Sequence, residues 1–438
     1  MSSTPCINLL KGSPATALLP VQRLSDAAVS ALSKPEVTVT GLDYGPDEGH
    51  FPLRTHLAEW LTAYYKPSQP IQADRICVTG GASQNLSNIL QVFTDPSQTR
   101  CIWMPQATYH LAFRIFEDAG FHGRLRAVPE DEEGMDVKFL EHALANDEAI
   151  ADRVQRAKYK RDERYRKIFN HVIYCVPNFS NPTGVTMSLR RREALVRLAR
   201  RLNGLVICDD VYDFLHWPAP HSSNNESTWS SMLPRVLDLD RTLDGGPRDS
   251  FGNVVSNGTF SKIVAPGCRV GWAEGEPQLV YGLSQVGSTV SGGPPSQLMS
   301  TFIDEMLQDG SVTKHIREVL IPAYSRRHSI MVSAVKETLS PLGVEIHANP
   351  SDPLHAGGVF VWVRLPWPLT AHNVTERALR EENLIVGNGD IFVVPGGQYS
   401  FQHECLRLCF AWEDETDLTE GVRRLERVLI RMVNEVKS

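Results

Sequence analysis

Cysteine is scarce and unpatterned in this chain. Eight are scattered over 438 residues with no C-x-x-C spacing, so neither a zinc ribbon nor a disulfide framework is indicated and no metal site is expected. Long apolar runs are also missing. None approaches the roughly 20 residues that span a bilayer, and Met1 to Leu10 lacks the charged-then-apolar pattern of a secretion signal. There is no basic block, and the net charge is −7, which argues against nucleic acid as the main partner. These absences predict a protein that meets neither membrane nor nucleic acid and works in a reducing compartment. The cytoplasm is the first expectation, with the mitochondrion or peroxisome left open. Hydrophobic content of 42% and charged content of 22% are ordinary for a globular protein. The length exceeds what one core usually organises, so more than one domain is expected.

The most informative stretch runs from Asn257 to Trp272. It follows a strand-like run and places hydroxyls at Thr259 and Ser261, an amine at Lys262 and a guanidinium at Arg269. Hydroxyls and a bidentate fork suit an anion such as phosphate. An amine among cationic and desolvating neighbours has a lowered pKa and can attack a carbonyl. The pattern T-F-S-K-x-x-A-P-G-x-R-x-G-W resembles the lysine segment of fold-type I enzymes that use pyridoxal 5′-phosphate (PLP). It is most similar to the class I/II aminotransferases, in the branch holding 2-aminoadipate and aromatic aminotransferases. Motifs in the family's order extend from about Asn8 to Trp412.

Other segments make chemical sense in the same frame. Arg75–Thr79 reads as a strand, followed by the turn Gly80-Gly81-Ala82-Ser83-Gln84 and an apolar helix from Leu86 to Phe93. A glycine turn opening a helix presents free N–H groups to an anion. The resemblance makes Ala82, Ser83 and Gln84 its donors. Tyr109, just past the strand Cys101–Pro105, could stack on a pyridine ring, and the family has an aromatic there. The strand His171–Val176 leads to Asn181-Pro182-Thr183-Gly184, the family's N-P-T-G signature. Asn181 is then a donor to the cofactor's phenolic oxygen, placed where open α/β sheets bind ligands. After the basic amphipathic helix 189–202 comes the strand to Asp209, with Tyr212 three residues on. A carboxylate paired with the pyridine nitrogen keeps the ring an electron sink. Asp209 lies three residues before Tyr212 as in the family, so the resemblance selects Asp209 over Asp210 and implies that Tyr212 shares the phenolic oxygen with Asn181. Arg407, inside the apolar strand 405–411, is costly to bury unpaired; a substrate carboxylate is its natural partner, as in the family. The resemblance further places Gly12 and Ser13 in an arm over the substrate entrance, with Lys11 either meeting a carboxylate or simply solvated. It sends Tyr44, in a Y-G-x-x-x-G loop, to the phosphate of a neighbouring subunit. It also notes Cys409 where the family often has asparagine.

The expected fold class is α/β: a mostly parallel seven-stranded sheet between helices, plus a smaller α+β domain. The boundaries are an arm and helix at 1–45 that pack with the small domain, a large PLP-binding domain at 46–300 and a small C-terminal domain at 301–438. The charged stretch 147–167 reads as a solvated excursion and 216–252 as a long surface excursion. The implied activity is transfer of an amino group from an L-amino acid, 2-aminoadipate-like or aromatic, to a 2-oxo acid such as 2-oxoglutarate. It would run by a ping-pong mechanism in a homodimer with shared sites. A PLP-dependent lyase or carbon–carbon bond-forming enzyme of a biosynthetic pathway is the alternative.

Overall fold

The computed structural model describes residues 5–151, 158–219, 229–347, 352–397 and 402–437. Near-continuous Val/Ile/Leu/Cys runs, apolar on both faces, are what a doubly covered parallel sheet requires, and they form its centre. The strands are β1 (Ile76–Thr79), β2 (Ile102–Pro105), β3 (Leu125–Val128), β4 (His171–Cys175), β5 (Gly204–Asp209), β6 (Val254–Thr259) and β7 (Gly271–Glu274). They lie in the order β1-β7-β6-β5-β4-β2-β3. Only β7 is antiparallel, to both β1 and β6. That exception matters chemically. An antiparallel strand begins at the edge where its neighbours end, so Arg269, just before β7, arrives at the same edge as Thr259 and Asp209.

A second sheet has four strands, β8 (Glu345–Ile346), β9 (Phe360–Arg364), β10 (Gly387–Asn388) and β11 (Cys405–Cys409), in the order β8-β9-β11-β10. The N-terminal arm joins its flank, with Ile7–Asn8 pairing in parallel with Leu384–Ile385. The next helix, α1 (Val21–Leu32), rests on Gln297–Gln308. A further helix, α2 (Pro35–Leu42), was not anticipated, because Val37, Thr38, Val39 and Thr40 are weak helix formers. Pro35 at its first position supplies the start. Then come α3 (Phe51–Tyr65) and α4 (Ala82–Phe93). Helix α4 opens four residues before the Leu86 that periodicity suggests, so Ala82 and Ser83 occupy its first turn. The long helical run from Ser311 to Leu339 contains a widened turn at Ile316–Leu320 immediately before Pro322. Proline has no N–H to give there, and a widened turn accommodates it.

The charged excursion is not merely solvated. Its part 152–157 lies outside the described residues, but from Lys158 onward it is docked. Asp95 accepts the backbone N–H groups of Tyr159 (2.9 Å) and Lys160 (2.8 Å). Lys160 Nζ donates to the carbonyls of Gln91 (2.5 Å), Leu90 and Thr94, placing a cation at the negative end of α4. Residues 220–228 of the second excursion also lie outside the described residues; beyond them is the helix Val236–Thr242.

Beneath the loop after β5 lies a buried ionic network. Arg235 donates to Glu274 at 2.7 Å and lies 3.7 Å from the Tyr65 ring. Asp213 accepts from Tyr65 (2.9 Å) and Asn178 (2.8 Å), and Asn178 in turn accepts from Arg192 at 2.5 Å. Each buried charge is hydrogen-bonded, as burial demands.

Packing at β6 and β7 is equally tight. Gly258 faces Trp272, and a Cβ on Gly258 would fall 2.0 Å from the indole. Gly258→Ala should therefore destabilise by about 1–3 kcal/mol, the usual cost of overpacking. Calorimetry should show its melting point falling by several degrees. Gly267→Ala, whose Cβ meets nothing within 4 Å, should leave it unchanged.

Candidate active site

The carboxyl ends of the parallel strands open into a cavity of about 420 Å³. Its walls bring together Gly12, Ser13, Ala82, Ser83, Tyr109 and Asn181 with Asp209, Tyr212, Thr259, Ser261, Lys262, Arg269 and Arg407, residues spread over almost the whole chain. Two sequence-predicted residues lie outside it. The Gln84 side chain folds back, accepting from Gly80 N (3.0 Å) and donating to Asn88 (3.1 Å), which leaves only its backbone N–H on the cavity side of the helix. Tyr44 is 82% exposed and borders a separate surface hollow with Val39 and Phe51. Lys11 is not free in solvent; its amine sits 3.2 Å from the centre of the Trp412 ring.

At one end of the cavity is an anion-shaped hollow. Helix α4 begins after Gly81 with no side chain capping it, so its first-turn N–H groups and the positive end of its dipole are available. Thr259 Oγ1 and Ser261 Oγ are 2.9 Å apart, and the Ser261 N–H donates to Thr259 Oγ1 at 3.1 Å. Arg269 has a left-handed backbone (φ +51°), which swings its guanidinium over Gly81. A Cβ there would fall 2.7 Å from Nη2, so glycine is needed for the approach. Arg269 also donates to the carbonyls of Gly80 (2.7 Å) and Pro266 (3.0 Å).

At the opposite wall, Asp209 is buried and accepts from Tyr174 Oη at 2.6 Å and from Asn257 Nδ2 at 3.3 Å. Loss of water pushes its carboxyl pKa up to about 6, against the opposing pull of Tyr174 and Lys262. Between hollow and acid lies Lys262, whose pKa is lowered by burial, with the Arg407 charge adding to the effect. Its amine donates to Gly12 O at 2.7 Å. Tyr109 is half-buried over the same space; burial and the Asp209 charge raise its pKa.

Arg407 is buried. Nη1 donates to Asn181 Oδ1 and Nη2 to Leu10 O, each at 2.7 Å, while Phe360 and Phe392 cover its plane from 3.9 and 4.6 Å. Cys409 does not support it. That thiol accepts from Ala411 N at 3.4 Å, so the departure from asparagine is absorbed by Asn181 and the two phenyl rings.

Sequence reasoning missed Tyr174 and Asn257. Both lie inside buried strands, where tyrosine and asparagine read as core filler. The only available signal was a polar residue at a strand position where a hydrophobic one would serve. Asn257 also accepts from Asn85 (2.8 Å) and donates to Ala82 O (3.1 Å), tying the acid to the helix that forms the hollow.

A primary amine of lowered pKa, a buried acid facing it and an anion cradle at the far end are what an aldehyde-bearing pyridine phosphate needs, and the residues fit PLP. The comparisons agree. Residues 4–425 match the family pattern described as aminotransferase class I and II. An uncharacterized protein of Saccharomyces cerevisiae is 34% identical, the match covering 95% of each chain. Aromatic-amino-acid aminotransferase 1 of Thermococcus litoralis is 28% identical over 98% of this chain and 89% of its own. The solved structure of the α-aminoadipate aminotransferase from Thermus thermophilus, complexed with N-(5′-phosphopyridoxyl)-L-leucine, superimposes with a TM-score of 0.75. It is 28% identical, covering 98% of this chain and 93% of its own. The chain belongs to the class I and II aminotransferases, and is a PLP-dependent transaminase of fold type I.

Proposed function

We propose that the enzyme moves the amino group of an L-amino acid, aromatic or 2-aminoadipate-like, to 2-oxoglutarate in two half-reactions, as a cytoplasmic homodimer whose subunits share active sites. The observation that carries this reading is the single cavity uniting Lys262, Asp209, Asn181 and Arg407. Leu10, Leu111, Ile115 and Phe360 give part of its wall an apolar surface, which favours aromatic donors. The names of the relatives point the same way.

PLP supplies an aldehyde and a ring that delocalises the electron pair left when Cα loses its proton. The chain's own residues do the rest. Arg269, Ser261, Thr259, Ser83 and the first-turn N–H groups of Ala82 and Gln84 would hold the phosphate. Asp209, supported by Tyr174 and Asn257, would keep the ring nitrogen cationic. Tyr109 would stack on the ring, and Asn181 and Tyr212 would meet its phenolic oxygen. Arg407 fixes the substrate carboxylate and so orients the Cα–H bond. Lys262, once free, would take that proton on Nζ as general base and hold it as the general acid for its return. Gly12 and Ser13 line the entrance. Tyr44, exposed beside Val39, Leu42 and Phe51, reaches the partner subunit's cofactor. The arm and second sheet, 1–45 and 301–438, act as units separate from the PLP-binding body, 46–300.

The direct experiment adds single amino acids to PLP-loaded enzyme with no acceptor. Aromatic donors should release one equivalent of 2-oxo acid, and Lys262→Ala should lose both this burst and the visible absorbance of covalently held PLP. Elimination or condensation products in place of oxo acid would reject transamination. Asp209→Ala should cut kcat by about 10²–10⁴-fold, the range of an acid–base group, while phosphate-anchored PLP still binds; equal turnover would remove the acid from the mechanism. Mixing inactive Lys262→Ala with inactive Tyr44→Ala should restore partial activity in hybrid dimers, whereas no recovery would mean that the sites are not shared.

A further inference from the structure

His110 precedes the helix Leu111–Phe116 and lines the cavity. Its ring packs edge-on against Phe392, with centroids 5.1 Å apart and planes at 88°. That is the ring whose centre lies 4.6 Å from the Arg407 guanidinium. Among the described residues neither imidazole nitrogen has a hydrogen-bond partner, and Nδ1 is fully buried. Asp209 is satisfied within the protein by Tyr174, Asn181 by Arg407 and Thr259 by Ser261, whereas Arg407 Nε, in the same cavity, is buried and unpaired as His110 Nδ1 is. An unpaired polar ring inside a cavity is unfavourable until something binds it.

We propose that His110 is a substrate-binding residue of the carboxylate subsite, hydrogen-bonding, together with Arg407, the carboxylate of the amino acid or oxo acid substrate. This rests on the carboxylate-binding reading of Arg407. Each Nη atom of that arginine already gives one N–H to the protein while Nε is unpaired, so a carboxylate held there by the remaining N–H groups gains from a donor outside the guanidinium. Burial, and then the Arg407 charge, push the His110 pKa down to about 4, leaving it neutral with one donor and one acceptor nitrogen. Arg407 faces the ring from β11 and Tyr109 from its own loop. Phe392 is uncharged, and Lys262 and Asp209 lie in the same cavity. A bound carboxylate offsets the Arg407 charge, so the imidazole pKa rises and a proton is taken up on binding.

Calorimetry of PLP-loaded enzyme with 3-phenylpropanoate, a carboxylic acid with no amino group to react, tests this in two buffers of different ionisation heat at about pH 6, near the unperturbed histidine pKa. Wild type should bind with net proton uptake. His110→Phe keeps the aromatic packing and should bind about tenfold more weakly, the loss of one charge-assisted hydrogen bond, with less uptake than wild type, the remainder coming from Asp209. His110→Gln should recover most of the affinity with the same reduced uptake. Unchanged affinity and uptake in His110→Phe would overturn the proposal. Unchanged affinity in Arg407→Lys would instead overturn the reading of Arg407 on which it rests.

Discussion

A carboxyl group taken out of water at the end of β5 is the constraint around which the site is built. Asp209 has Tyr174 and Asn257 in place of solvent, and they do not fully compensate, since its pKa is pushed up to about 6. Such an acid is poised for a cation. The Asn257 amide that reaches it also reaches Ala82 O, so the acid and the anion hollow are held in register by one side chain. A ligand with a cationic ring nitrogen at one end and a phosphate at the other fits that spacing because both ends are built on adjacent strands.

The N-terminal arm competes for the same groups. Gly12 O accepts from Lys262 and Leu10 O from Arg407, so two backbone carbonyls occupy the amine and the guanidinium. Each contact uses one N–H of its nitrogen, and Arg407 Nε has no partner, so both cations keep donors for a ligand. The arm is tethered beyond the cavity, where Leu9 N donates to Ile385 O at 2.8 Å and Leu9 O accepts from Cys409 N at 2.7 Å, which fixes it to β11 of the second sheet.

Much of the site was legible because its chemistry is local. Lys262 and Arg269 are seven positions apart around one strand turn, and Asp209 and Tyr212 share one loop. Gln84 shows the limit of such reading: its place in the motif was clear, but a bond to Asn88 turns the side chain away. Tyr44 lies away from the cavity, exposed beside a separate surface hollow, and a loop motif carries no information on which surface its tyrosine faces. Helix α2 was hidden by β-branched residues whose weak propensity is overridden by packing of Val37 against Phe302.

The amino-acid sequence by itself determined the fold class and named the amine, the acid, the hydroxyls and the arginines that the fold gathers around one cavity, because each is a particular functional group placed at a particular strand end. Only the tertiary structure decided how they are tuned. Tyr174, Asn257, Asn85 and Phe392 are distant in sequence from the groups they touch, and whether a strand residue turns toward a neighbour's acid depends on register. The shift of the Asp209 pKa and the neutrality of His110 follow from burial, which no local spacing encodes.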